Sequence, residues 1–291
     1  MRLITGLMAI SFAGSVNAQS KRALVVGISE YMQVAEESWA SIHGANDAEL
    51  IEESLKKQGF NCTKICNKKA TAKRIRKELE SLVESCKPGD EVYLHFSCHG
   101  QPYEDLNGDE EDGWDESIVP YDALMMYQKG KYEGANHITD DELNSYFKQL
   151  RSKVGKKGLV CVVIDACHAG GASRGEEDME EEEIYVRGIK RGFSPQGKDF
   201  RPRINAKGNF VIPQETGLSD IIVLEACRSY QSNFEIKQSG KYFGPLSYYI
   251  AQVLSKQPFA HSIDWVLEVK KMMNADKRLT RQNMVYETSI K

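Results

Sequence analysis

No CxxC pair occurs anywhere in this sequence, and its seven cysteines are scattered. That spacing supports neither a zinc site built from paired cysteines and histidines nor a disulfide framework. Seven is also an odd number, so at least one thiol stays unpaired or bonds another chain. An excess of basic charge is missing too: 38 Lys and Arg face 42 Asp and Glu, a net charge of −4. Nothing in that balance points to nucleic acid. After residue 20 there is no apolar run long enough to cross a bilayer. Internal repeats are absent as well. What remains, 41% hydrophobic and 27% charged residues, is an ordinary globular composition with enough chain for a sizeable core.

The first twenty residues read as a secretory leader rather than as structure. Arg2 supplies the positive start, Leu3–Phe12 the apolar centre, and Val16-Asn17-Ala18 a small-residue cleavage site. The expectation is a signal peptide over 1–18, a mature chain from Gln19, and a secreted or periplasmic location. No cysteine follows the leader to carry a lipid anchor.

From residue 22 onward, apolar runs alternate with helical periodicity. Arg22–Ser29, Phe60–Cys66, Glu91–Ser97 and Leu159–Ile164 read as strands. Asn46–Gln58, Thr71–Cys86 and Thr139–Leu150 read as helices between them, with Thr71 and Thr139 as N-caps. This alternation is the signature of a parallel sheet with right-handed crossovers. Gln101–Asp115 reads as a polar loop. Residues 172–217, acidic and then basic without periodicity, read as an exposed, mobile connector. Order returns with a strand at Asp220–Glu225, helices at Pro245–Leu254 and Ile263–Asn274, and a strand near Asn283–Thr288.

Two strands end in a reactive side chain. The third runs into His99-Gly100 and the fourth into Cys167-His168. Carboxyl ends of neighbouring parallel strands lie on one edge, where α/β sheets bind ligands. An imidazole beside a thiol activates it as a nucleophile and later protonates a leaving amine. The N–H groups of Gly100 and Cys167 are placed to hold an oxyanion. His168 is assigned a loop role, His95 a mid-strand position, and His43, His137 and His261 the role of solvated histidines. Cys62, Cys66, Cys98, Cys161 and Cys227 read as buried filler.

Several stretches together resemble one family. HFSCHG at 95–100, DACHAG at 165–170, GDEEDGWDESIVPYD at 108–122, and LEACRSYQSNFE followed by GKYFGPLSYYIAQVL at 224–254 are similar to the motifs of caspase-like peptidases, and of metacaspases in particular. The resemblance spans roughly 21–290. It implies an α/β fold with a mostly parallel six-stranded sheet flanked by helices on both faces, its large-subunit half at 19–171 and its small-subunit half at 218–291. It also implies a thiol protease with Cys167 as nucleophile and His99 as general acid and base.

Asp47, on the family's NDA motif, Asp165 and Ser97 match pocket positions, and two carboxylates favour a basic residue before the cleaved bond. The family often has cysteine where this chain has Gly44. A basic preference makes Arg187, Lys190, Arg191, Lys198, Arg201 and Arg203 candidate self-processing sites. Asp115, Asp140 and Asp141 match carboxylate positions of a family Ca²⁺ site, with Arg174 where a fourth stands and Glu176–Asp178 nearby as substitutes. The chemistry itself calls for no cofactor. Asp105–Glu116 resembles an EF-hand loop, but Glu110 occupies its glycine position. The partner expected is a protein or peptide substrate, acting on a monomeric enzyme. The rival readings are a clostripain-like protease, a silent binding module of the same fold, and a cysteine-dependent transferase or ligase.

Overall fold

Runs of Val, Ile and Leu that no single helix could shield set the order of the central sheet. The computed structural model describes residues 19–34, 38–167, 184–189, 191–200 and 210–290. β1 (Lys21–Gly27) lies between β2 (Asn61–Cys66) and β3 (Glu91–Ser97), followed by β7 (Leu159–Asp165), β9 (Asp220–Glu225) and β12 (Val285–Thr288). The first five of these pair in parallel, and β12 runs antiparallel to β9. A two-residue strand, β8 (Phe210–Val211), joins the β12 edge, and β10 (Ile236–Gln238) pairs with β11 (Lys241–Phe243) in a separate hairpin. The six-stranded, mostly parallel sheet is therefore present, with this short edge added.

Every residue of β3 and β7 is buried, because helices cover both faces. α2 (Ala72–Ser85) and α3 (Asp140–Val154) pack one face through Ile75, Leu79, Leu143, Phe147 and Leu150. α1 (Gly44–Lys57), α4 (Pro245–Leu254) and α5 (Asp264–Ala275) pack the other through Ile51, Leu55, Ile250, Trp265 and Val269. The expected caps form: Thr71 Oγ1 accepts from Arg74 N, and Thr139 Oγ1 from Glu142 N. No helix among the described residues is long and apolar enough to cross a membrane.

Two expectations are corrected. The polar loop after His99 contains a small antiparallel sheet of β4 (Gly100–Glu104), β5 (Trp114–Ile118) and β6 (Ile138–Thr139). Its strands are too short and too polar to show a period. The connector also departs from its exposed, mobile reading: in its described part, Arg187 and Phe193 are fully buried. An extended segment seated in a cleft takes its partners from distant elements, so its own periodicity says nothing of them. The leader over 1–18, His168, Arg174, the acidic run 175–183, Lys190, Arg201 and Arg203 lie outside the described residues.

Candidate active site

Register brings the two reactive termini together. Ser97 at the end of β3 pairs with Asp165 at the end of β7, so His99 and Cys167 each stand two residues beyond a shared position. The backbone N–H groups of Gly100 and Cys167 both donate to one oxygen, the main-chain carbonyl of Arg187, at 3.2 and 2.9 Å. The two donors expected to hold an oxyanion thus converge on a peptide carbonyl of the chain itself. Cys167 is buried beneath this segment; a Cβ built on Gly188 would stand 2.2 Å from the Cys167 carbonyl oxygen. The thiol donates to the carbonyl of Gln231 at 2.9 Å.

His99 is oriented by contacts that sequence reasoning missed. Its Nε2 lies 2.9 Å from the carbonyl of Ala40, which can only accept, so Nε2 carries the hydrogen and Nδ1 keeps the lone pair. Nδ1 is buried without a hydrogen-bond partner. The ring lies between Tyr31 and Trp39, and His99 N donates to the Tyr31 hydroxyl at 2.7 Å. Burial holds the imidazole down at about 4, so it stays neutral and able to take a proton.

The Arg187 side chain fills a pocket built from β3, β7, α1 and the segment after β9. Its Nη2 stands 2.6 Å from Asp47 Oδ2 and 2.8 Å from Glu235 Oε1, and its Nη1 lies 3.4 Å from Asp165 Oδ1. Nη1 also donates to Ser97 Oγ at 2.7 Å and to the Asp165 carbonyl at 3.1 Å, and Nε to Glu235 Oε1 at 3.1 Å. All four charged groups are fully buried. Asp47, Asp165 and Ser97, the residues matched to pocket positions, all touch this guanidinium, and so does Glu235, which sequence reasoning missed.

These acids are themselves held. Ser97 Oγ and the Gly244 N–H donate to Asp47; Asn233 Nδ2, Ser247 N and Ser247 Oγ donate to Asp165. Asp47 therefore does not cap α1, whose N-cap is His43. Burial pushes its carboxyl up to about 7, against the pull of the Arg187 guanidinium. Gly244 leaves room for the guanidinium, since a Cβ there would stand 2.4 Å from Arg187 Nη1. At Gly44 a Cβ would meet the Ser97 carbonyl at 2.3 Å, so a side chain has no place at this departure from the family pattern.

Backbone pairing extends the seat in both directions. Arg187 N donates to the Asn233 carbonyl and Glu235 N to the Tyr185 carbonyl, both at 3.0 Å, around an antiparallel bridge between Val186 and Phe234. On the other side Gly188 bridges Gly100 and Phe193 bridges Tyr103, both parallel. Phe193 packs against Tyr103 and His137 with ring centroids 5.2 and 4.6 Å away. Of the other described basic residues, Arg191 lies beside Met126 Sδ and Lys198 pairs with Glu104; neither meets the nucleophile.

Of the histidines read as solvated, His261 is exposed, His43 is half-buried at the N-cap of α1, and His137 departs from the reading. His137 is buried between the Tyr132 hydroxyl and Gln101 Oε1 rather than solvated. His43 pairs with Glu235 at 2.5 Å and stacks on Tyr242, while His261 pairs with Asp220. His95, in mid-strand, donates through Nε2 to Ser247 Oγ at 3.0 Å, whose own hydrogen goes to Asp165. Cys227, expected as filler, has its thiol 3.4 Å from the same Gln231 carbonyl that Cys167 uses, and its hydrogen bond with Cys167 and burial hold its own titration well up.

The acidic patch is arranged differently from the expected trio. Among the described residues, the carboxylate oxygens that approach within 4.8 Å of one another belong to Asp105, Asp109 and Asp115, all three from the EF-hand-like loop that was set aside. Asp141 is turned to Asn107 Nδ2 at 2.6 Å, and Asp140 Oδ1 is buried without a partner. Burial, then the charges of Asp140, Asp141, Asp105 and Asp109, push Asp115 up to about 7.

Residues 20–290 match the caspase domain family. The chain is 29% identical over 213 residues to Metacaspase-1B of Aspergillus fumigatus, covering 65% of this chain and 49% of that one. It is 25% identical over 289 residues to Metacaspase-1 of Mycosarcoma maydis, covering 88% and 66%. This chain spans about half the length of most of the curated relatives it matches. Protein GSU0716 of Geobacter sulfurreducens shares the fold, with a TM-score of 0.61 at 17% identity over 93% of both chains. With both reactive residues on adjoining strand ends and the whole domain matched, this chain belongs to the caspase-domain family and is similar to its metacaspase members.

Proposed function

We propose that the protein is a cysteine endopeptidase that cleaves after arginine, and that its first substrate is its own Arg187–Gly188 bond. One observation carries this reading: the Arg187 carbonyl rests on the Gly100 and Cys167 N–H groups while its guanidinium sits among three carboxylates. In the step this supports, His99 Nδ1 takes the thiol proton and Sγ attacks the Arg187 carbonyl carbon. The resulting oxyanion stays on the two N–H groups, and His99 then protonates the Gly188 amine as the C–N bond breaks. Water, deprotonated by the same imidazole, hydrolyses the thioester and restores the thiol.

The pocket favours arginine over lysine. Glu235 takes Nε and Nη2, and Ser97 takes Nη1, a forked arrangement that a single ammonium cannot satisfy. The apolar leader supports export, and the enzyme is proposed to act as a monomer. Ca²⁺ is proposed as an activator held at the acidic patch around Asp115, where a divalent ion would relieve the crowding of like charges. Its donors would be drawn from Asp105, Asp109, Asp115 and Asp140.

The test is hydrolysis of paired quenched-fluorescent peptides carrying Arg-Gly or Lys-Gly at the cleaved bond by the full chain and by Cys167→Ala, with and without EGTA. The expected result is cleavage of the Arg peptide, at least tenfold slower turnover of the Lys peptide, no turnover by Cys167→Ala, and loss of rate in EGTA restored by Ca²⁺. No cleavage after arginine under any of these conditions would overturn the reading.

A further inference from the structure

The site described so far fixes one residue of a substrate. The seated segment carries further information on both sides of it. Tyr185, two residues before Arg187, is half-buried with its ring against two others: His43, edge-on at 4.5 Å, and Tyr242, edge-on at 4.8 Å. Neither wall is a loose surface side chain. His43 and Tyr242 stack on each other at 5.0 Å and 27°. The His43 ring is fixed by Glu235 Oε2, and its backbone N–H donates to Glu235 Oε1 at 2.7 Å. Tyr242 is held through its carbonyl by Asn46 Nδ2 at 3.0 Å, and Lys237 lies over its ring at 5.4 Å. The Glu235 carboxylate that receives the guanidinium thus also sets the aromatic wall for the residue two positions earlier.

Downstream of the bond the constraint is steric. A Cβ on Gly188 would lie 2.2 Å from the Cys167 carbonyl oxygen and 3.0 Å from its carbonyl carbon. Those are main-chain atoms of the nucleophile's own residue, which cannot turn aside as a flexible side chain can.

We propose that this cleft selects protein segments of the form aromatic–Xaa–Arg–Gly, with His43 and Tyr242 choosing the aromatic residue and the Cys167 main chain excluding every side chain directly after the cleaved bond. This rests on the arginine-directed cleavage proposed above. Edge-to-face ring packing together with the buried ring area corresponds to about tenfold in kcat/KM over alanine at that position. A backbone clash at 2.2 Å corresponds to at least as large a loss for alanine after the arginine.

The experiment uses quenched-fluorescent peptides with the core Tyr-Val-Arg-Gly-Ile and versions with Phe, Ala or Asp at the first position or Ala at the fourth. They are offered to the full chain and to its Arg187→Gln variant, whose own segment competes less for the pocket. The expected kcat/KM order is Tyr and Phe about tenfold above Ala, Asp lowest, and Gly at least tenfold above Ala after arginine. In Tyr242→Leu the Tyr-to-Ala ratio falls towards one. Equal cleavage of all first-position variants, or equal cleavage before Gly and Ala, would overturn the selectivity while leaving arginine-directed cleavage standing. No cleavage of any peptide by either enzyme would overturn both.

Discussion

The seated segment is held at its two ends by opposite physics. Upstream of the Arg187–Gly188 bond, a guanidinium is buried among Asp47, Asp165 and Glu235, and its seat depends on charge. Downstream, Phe193 is fully buried against Tyr103, Tyr132 and His137, and its seat depends on apolar area and ring packing. The first costs desolvation that only a matching cation offsets, which makes it selective. The second is tolerant of chemistry but strongly bound. If the proposed cleavage occurs, the upstream piece would be open to displacement by another arginine, whereas the downstream piece would stay anchored through Phe193.

Charge and apolar area can be removed separately. Asp47→Asn leaves the pocket's volume but breaks a buried ion pair, a loss of about 2–5 kcal/mol. The expected result is a fall in kcat/KM for Arg peptides of about 30-fold or more, measured by initial rates. Phe193→Ala should act the other way, costing about 3–5 kcal/mol of stability by thermal or denaturant unfolding. Its hydrolysis of short Arg peptides should stay within about threefold of wild type.

A smaller effect reads the pocket's charge through pH. Arg187→Ala leaves the three pocket carboxylates without their cation. Asp47 titrates near 7 when folded, above its unfolded value, so it binds a proton more tightly folded. Stability from that proton is present at low pH and lost as pH rises through about 7. The wild type shares that dependence, but in it the Arg187 guanidinium pulls the Asp47 titration down; without Arg187 it lies higher still, so the variant keeps gaining stability on acidification from above pH 7 and the gap in Tm should narrow between pH 8 and pH 6. A gap that widens on acidification would break the charge half of the comparison.

Much of the sheet was legible because burial on both faces writes unbroken apolar runs, as in Leu159–Ile164 and Asp220–Glu225. His99 and Cys167 were legible because each follows such a run. Glu235 was not, since a lone acid after β9 looks like any surface carboxylate until the fold sets it against α1 and β7. Ala40 was invisible for a simpler reason: it acts through its carbonyl, which every residue has. The segments 184–189 and 191–200 hid for the same reason in reverse, their structure coming from Asn233, Gly100 and Tyr103 rather than from their own pattern.

The central claim is that this chain presents Arg187 to Cys167 as a substrate. Peptide mapping by mass spectrometry of purified wild-type protein and Cys167→Ala tests it most directly. The expected result is a wild-type chain ending at Arg187 with a second piece beginning at Gly188, and an uncut Cys167→Ala chain. A wild-type chain that hydrolyses Arg peptides while its own Arg187–Gly188 bond stays whole, or one cut at another basic residue instead, would contradict it.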